Sequence, residues 1–276
     1  MKKFDESRII KSELKLEGME QVIPTIMVEP KKQSDTICIF INGLNGNIGM
    51  IPYFDFETFN DKYLFGFDQR AQGDNKNKSA RNYYTYVDDL DLIITNIKSI
   101  MPHIKKIVLL GESWGTALAI LYNQKYPNSV SKILGCNMPC EIINVSPLSF
   151  WSQLIISLKI CFTLLTNIDT KILSPFAEIL SSNKILKRIV KMQAKVKYSA
   201  KVTLASYFSF KKAWVILIKE TTKNDSIVYY VQSGEDKMMS KKNKLLDTIS
   251  NNYIFIKKGY HILTLEENGE DFFNLI

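Results

Sequence analysis

The feature that most constrains this chain is a set of short, unbroken apolar runs, each ending in a glycine-rich or polar turn. Residues 36–41 (TICIFI) lead into Asn42-Gly43-Leu44-Asn45-Gly46. Residues 63–68 lead into Gln69-Arg70-Ala71-Gln72-Gly73, and residues 107–110 into Gly111-Glu112-Ser113-Trp114-Gly115. Further runs cover 131–136, 227–232 and 253–256. Runs this short are strand-sized, and the lack of alternation fits strands covered on both faces. Residues 9–16 do alternate, and with 25–28 they predict an antiparallel pair.

Helical patterns separate the runs. Apolar residues at 83, 86, 87, 90, 93, 94 and 97 mark one face of a helix that Pro102 ends. Residues 116–126, 241–249 and 266–275 predict three more helices. Strands alternating with helices imply right-handed crossovers and a mostly parallel sheet with helices on both faces, an α/β fold. Residues 141–210 break the alternation. Patterns at 148–165 and 185–197 predict amphipathic helices there, with no strand-like run. The expected division is therefore a core of residues 1–140 and 211–276, with 141–210 as a helical cap (lid) inserted over the strand ends.

The 276 residues carry 36 basic and 28 acidic side chains, a net charge of +8. Residues 1–140 hold a net +1 and residues 220–276 a net −2, whereas residues 141–219 carry 12 basic and 3 acidic side chains. The whole excess thus lies in this one central stretch, 141–219, which includes the inserted segment. With 46% hydrophobic and 23% charged residues, the composition is that of a globular chain rather than a disordered, collagen-like or coiled-coil one. No apolar stretch follows Lys2 and Lys3 as a secretory signal would require. The cysteines at 38, 136, 140 and 161 have neither the pairing nor the neighbouring histidines of a zinc site. Residues 148–165 are too polar for a membrane span. A cytoplasmic setting is expected.

Gly111-Glu112-Ser113-Trp114-Gly115 matches G-x-S-x-G between an apolar strand and a helix. That is the context in which a sharp turn lifts a serine hydroxyl off the sheet edge. Serine needs a base, and the chain has only two histidines. His103 enters the strand that leads to Ser113, a strand length from the serine, and is expected to be a solvent-facing loop residue. His261 follows the last strand, at the right edge. A carboxylate must orient the imidazole; Glu235 and Asp236 both follow the 227–232 strand, and spacing does not separate them. Donors for an oxyanion are expected from the backbone N–H of Trp114 and of Leu44, in the loop after the first long run.

These residues resemble an α/β-hydrolase of the monoacylglycerol lipase and lysophospholipase group, over roughly residues 36–267. The His-Gly-x-Gly loop of that group corresponds to Asn42-Gly43-Leu44-Asn45-Gly46, and its Asp-x-Arg-Gly-x-Gly stretch to residues 68–73. Its elbow corresponds to residues 111–115, and its Tyr-His near a Glu to Tyr260-His261 with Glu266. The resemblance selects Asp236 as the acid and implies the order Ser113, Asp236, His261. Four residues depart from the pattern: Asn42 for His, Ala71 for Gly, Glu112 for His, and Trp114 for a smaller side chain, expected to narrow the acyl pocket.

The resemblance implies a serine hydrolase of lipid-like carboxylic esters, monoacylglycerol or lysophospholipid, working through an acyl-enzyme with no cofactor or metal. The alternatives are a hydrolase of short or amino-acyl esters and peptides, or a non-catalytic lipid-binding protein. The expected partners are the ester or lipid substrate and, through the lysines of the cap, an anionic membrane surface. Nucleic acid is not expected.

Overall fold

The computed structural model describes residues 6–43, 46–54, 56–78, 80, 82–138, 150–166, 170–171, 201–202, 226–236, 252–266 and 269–276. In chain order the strands are β1 (Ile9–Leu14), β2 (Ile23–Val28), β3 (Thr36–Ile41), β4 (Tyr63–Phe67), β5 (Lys106–Glu112) and β6 (Lys132–Cys136). They continue with β7 (Thr170–Lys171), β8 (Lys201–Val202), β9 (Val228–Ser233) and β10 (Asn252–Ile256). The helices are α1 (Tyr83–Ile100), α2 (Trp114–Lys125), α3 (Phe150–Thr166) and α4 (Gly269–Phe273).

Eight strands form one sheet in the order β1-β2-β4-β3-β5-β6-β9-β10. The pairings β1–β2 and β2–β4 are antiparallel, and the rest are parallel. This is the mostly parallel α/β sheet that the apolar runs predict. β3 shows why its run does not alternate. Ile37, Ile39 and Ile41 pack into one core with α1 and α2, while Cys38 and Phe40 pack into another on the opposite face. β5 divides the same way, Ile107 and Leu109 on one side and Val108 and Leu110 on the other. Each such residue, taken out of water, contributes about 1.5–3 kcal/mol, so a polar substitution on either face would be costly.

The first core is roofed by α1, whose buried face runs Tyr83, Tyr86, Val87, Leu90, Ile93, Ile94, Ile97. Asn82 caps its start by accepting from Tyr84 N–H, and Pro102 follows its last turn. The second core is closed by 3-10 turns at Ile48–Tyr53 and Leu263–Leu265 and by α4, through Phe272 and Phe273. The predicted 266–275 helix is shorter than its pattern. The predicted helices at 185–197 and 241–249 lie outside the described residues.

Within residues 141–210, α3 realises the first predicted helix. The same segment also carries strands. Thr170 and Lys171 pair antiparallel with Val202 and Lys201, so the described part of this segment is not all helical. A two-residue ladder is too short to leave a period-two pattern in the sequence. Among the described residues no helix is long and apolar enough to cross a membrane.

Candidate active site

β5 runs straight into α2, and Ser113 is the one residue between them. Its backbone is at φ 54°, ψ −119°, a conformation that side-chain-bearing residues rarely adopt and that turns the hydroxyl away from the chain. The turn is locked by its neighbours. Ser113 N–H donates to the Cys136 carbonyl at 2.8 Å, and Thr116 Oγ1 lies 2.9 Å from the Gly111 carbonyl and 3.0 Å from that of Cys136. Gly115 is required by contact: a Cβ there would lie 1.9 Å from the Ile41 carbonyl oxygen. α2 can start this close to β3 only because no side chain intervenes.

His261 follows β10 and reaches back to the same sheet edge. Its Nδ1 is 2.8 Å from Asp236 Oδ2, and its Nε2 is 3.0 Å from Ser113 Oγ. With the Nδ1–H donated to the carboxylate, Nε2 is left to accept the serine proton. His261 and Asp236 are buried, while Ser113 is partly open. Burial pushes the imidazole pKa down. The charge and hydrogen bond of Asp236, with Glu112 adding to them, outweigh it and leave the value above the ordinary one.

The structure separates the two acids that spacing left open. Asp236 is buried against His261, whereas Glu235 is exposed and accepts from the Tyr260 hydroxyl. His103 is exposed, with its ring 5.8 Å from that of Tyr63, at the far end of β5. Leu44 lies outside the described residues. Its neighbour Gly43 packs on the elbow, where a Cβ would come 3.0 Å from Ser113 Cβ. Trp114 is the first residue of α2. Its indole does not narrow an acyl pocket. It is fully buried in the helix-side core, edge-on to Tyr86, and its Nε1–H donates to Gln69 Oε1.

Several residues around the site have contacts that their place in the sequence pattern did not reveal. Gln69 Nε2 donates to the Asn42 carbonyl at 2.6 Å, so one amide joins the Trp114 indole to the loop before Leu44. Gln72, with its amide turned to satisfy both ends, donates to the carbonyls of Gly43 and Gly46. Asp68 accepts the N–H groups of Ile48 and Asp74 at 2.9 Å; burial nevertheless pushes its pKa up to about 6. Asn42 fills the position of the usual His by donating from Nδ2 to the Phe67 carbonyl, while its buried Oδ1 has no hydrogen-bond partner among the described residues. Ala71, where the resembled pattern has Gly, sits at φ 58°.

Asn137 joins three strand ends. It follows β6 in a left-handed conformation, φ 48°, and its Oδ1 accepts from Ser233 N–H. Its Nδ2 lies 2.8 Å from Ser233 Oγ and from the Tyr260 carbonyl, and 2.9 Å from that of His261. The backbone of the histidine loop is therefore held by a side chain more than a hundred residues earlier.

The family model described as serine aminopeptidase S33 matches residues 32–268. A stretch of 87 residues is 36% identical to a Mycoplasma genitalium protein named as a candidate proline iminopeptidase; the match covers 31% of this chain and 26% of that one. Among solved structures, a soluble variant of monoglyceride lipase from Saccharomyces cerevisiae, in complex with a substrate analogue, superposes with a TM-score of 0.76 at 15% identity. That superposition covers 99% of this chain and 95% of the lipase. A monoacylglycerol lipase from Paleococcus ferrophilus superposes with a TM-score of 0.65 at 18% identity, covering 92% and 96%. At these identities the structures establish a shared fold. With the family model spanning most of its length, the chain belongs to the serine aminopeptidase S33 family of α/β-hydrolases.

Proposed function

We propose that the protein is a serine hydrolase that cleaves carboxylic esters of lipid-like substrates, of the monoacylglycerol or lysophospholipid class. The observation that carries this reading is the hydrogen-bonded line from Asp236 through His261 to Ser113, with the serine as its open end. Ser113 Oγ attacks the acyl carbon as its proton passes to His261 Nε2, and the carbonyl π pair moves onto oxygen. Backbone N–H groups of Leu44 and Trp114 receive that oxyanion. Collapse of the tetrahedral adduct breaks the ester C–O bond, and His261 returns the proton to the departing alcohol. Water then attacks the acyl-enzyme by the same route and releases the acid and free Ser113.

The substrate class is supported by the inserted segment, residues 141–210 in the proposed division between cap and core. α3 exposes Phe150, Trp151, Leu154, Ile155, Leu158, Phe162 and Leu165, and the 141–219 stretch holds the basic excess. An apolar stripe beside lysines suits an acyl chain and an anionic membrane surface approached from the cytoplasm. A second reading, hydrolysis of amino-acyl esters or peptides, is favoured by the family description and the Mycoplasma relative.

One experiment separates them. A fluorophosphonate probe is expected to label Ser113, mapped by peptide mass spectrometry. A panel of monoacylglycerols, lysophospholipids, short p-nitrophenyl esters and prolyl or other aminoacyl naphthylamides is expected to give highest kcat/KM on the long-chain lipids. Absence of labelling overturns the serine hydrolase, and preference for the naphthylamides selects the peptidase. Vesicle sedimentation with and without anionic lipid, at low and raised salt, tests the membrane contact. Equal binding to neutral and anionic vesicles removes its electrostatic part.

A further inference from the structure

The reaction above makes no use of Glu112, yet this carboxyl is buried at the most sensitive point of the sheet. It is the last residue of β5, one before Ser113, and pairs in register with Cys136. Along β5 it falls in phase with Val108 and Leu110, whose side chains enter the core on the face opposite α1 and α2. Only 3% of the residue is exposed. A carboxylate in such a place is costly unless it is paired or hydrogen-bonded. Glu112 Oε2 accepts from Thr264 Oγ1 at 2.5 Å and from Thr264 N–H at 3.4 Å. Thr264 stands three residues after His261, in the turn that closes the second core.

The groups facing Glu112 come from three other elements. They are His261 on the loop after β10, Asp236 at the end of β9, and the Cys136 thiol on β6. Burial, together with the charges of Glu112 and Asp236, pushes that thiol's pKa up, so it stays protonated. His261 is therefore the one group among them whose positive form answers two carboxylates.

We propose that Glu112 is a positioning residue for His261: bonded from Thr264, it pins the histidine loop to the nucleophile elbow, and its charge beside the His261–Asp236 pair favours the imidazolium formed when Ser113 gives up its proton. This rests on the acyl-transfer reading above. When Ser113 O–H breaks and Nε2 gains the proton, the new positive charge meets Asp236 through a hydrogen bond and Glu112 through space. Burial is the largest influence on Glu112 and pushes its pKa up to about 6, against the Thr264 bond and His261, so the charge is present at neutral pH and fades in mild acid.

The chain has only two histidines, so the titration of His261 can be read directly in the full-length protein from its imidazole NMR resonances, with His103→Asn making the assignment. Glu112→Gln keeps an oxygen for the Thr264 hydroxyl and removes the charge. The expected result is a His261 midpoint moved to lower pH, with the acidic limb of kcat/KM on p-nitrophenyl butyrate moving with it. Thr264→Val is expected to lower kcat/KM about tenfold, the scale of one lost charge-assisted hydrogen bond, and to move the midpoint the same way. Thr264→Ser restores the hydroxyl and is expected to restore both. An unchanged His261 midpoint in Glu112→Gln overturns the charge effect; a Thr264→Val protein like wild type overturns the pinning. Should Glu112→Gln not fold by circular dichroism, the Thr264 pair decides alone. If the wild-type protein hydrolyses no ester, the NMR midpoints still judge Glu112, and the failure belongs to the proposed activity.

Discussion

Two helices of this protein are built from similar apolar residues and stand in opposite surroundings. In α2 every residue from Trp114 to Tyr122 is buried between the sheet and α1. In α3 the large apolar side chains named above are exposed, with Trp151 at 70% and Leu165 at 86%. Hydrophobic content alone does not tell a core helix from one facing outward. The difference lies in what the neighbouring strands can supply. α2 leaves the sheet at Ser113 and is drawn back onto it through Gly115, so its burial and the position of Ser113 have one cause. Among the described residues α3 has no such tether, and its apolar stripe is the part of the molecule proposed above to meet an acyl chain or a surface.

The largest expected effect tests the α2 end of this contrast. Ser113→Ala is expected to lower kcat/KM for a p-nitrophenyl ester by about 10⁴-fold, with an unchanged circular dichroism spectrum. Next comes packing. Leu118→Ala in α2, where the residue is 1% exposed, is expected to cost about 2–5 kcal/mol in urea unfolding.

A third expectation concerns pH. Asp68 and Glu112 both have pKa values pushed up to about 6, above the value of about 4 for an unfolded carboxyl. The folded form thus holds their protons more tightly. Their contribution to stability is complete below the unfolded value and is lost as pH rises through the folded one. The fall in urea midpoint between pH 5 and 7.5 is expected to be smaller in Glu112→Gln than in wild type, and an equal fall would contradict the shift.

Smaller still is Ala71→Gly, which relieves a left-handed alanine and is expected to stabilise by about 1 kcal/mol. At the α3 end, Leu158→Ala, at 61% exposure, is expected to change stability by less than about 0.5 kcal/mol while weakening vesicle binding. A large loss of stability there would erase the contrast between the helices.

The strands were legible because β3 and β5 are short, apolar on both sides and punctuated by turns. Hydrophobic burial on two faces writes itself directly into the residue types. The elbow was legible because a serine between a strand and a helix needs small neighbours, and the scarcity of histidine pointed to His261. The acid was harder. Glu235 and Asp236 are adjacent in one turn, and only the register of β9 against β10 decides which of them faces the imidazole. Asn137, Gln69, Gln72 and Glu112 had no local signature, because each acts through partners at least 25 residues away in sequence. Trp114 was misread for a related reason: its position next to the nucleophile is local, but the direction of its indole is set by Gln69 and Tyr86. The β7–β8 pair was invisible because two residues make no period.

The bridge made by Asn137 bears on the order in which the molecule comes together. The histidine loop is held by an amide 124 residues earlier in the chain, and the span from His261 to Ser113 is 148 residues. Contacts of such sequence separation carry a large loop-closure cost and reward the chain only after β6, β9 and β10 have docked. In a refolding experiment the return of esterase activity is therefore expected to trail the return of β-sheet signal. The candidate active site serves as a clock for the last step of assembly.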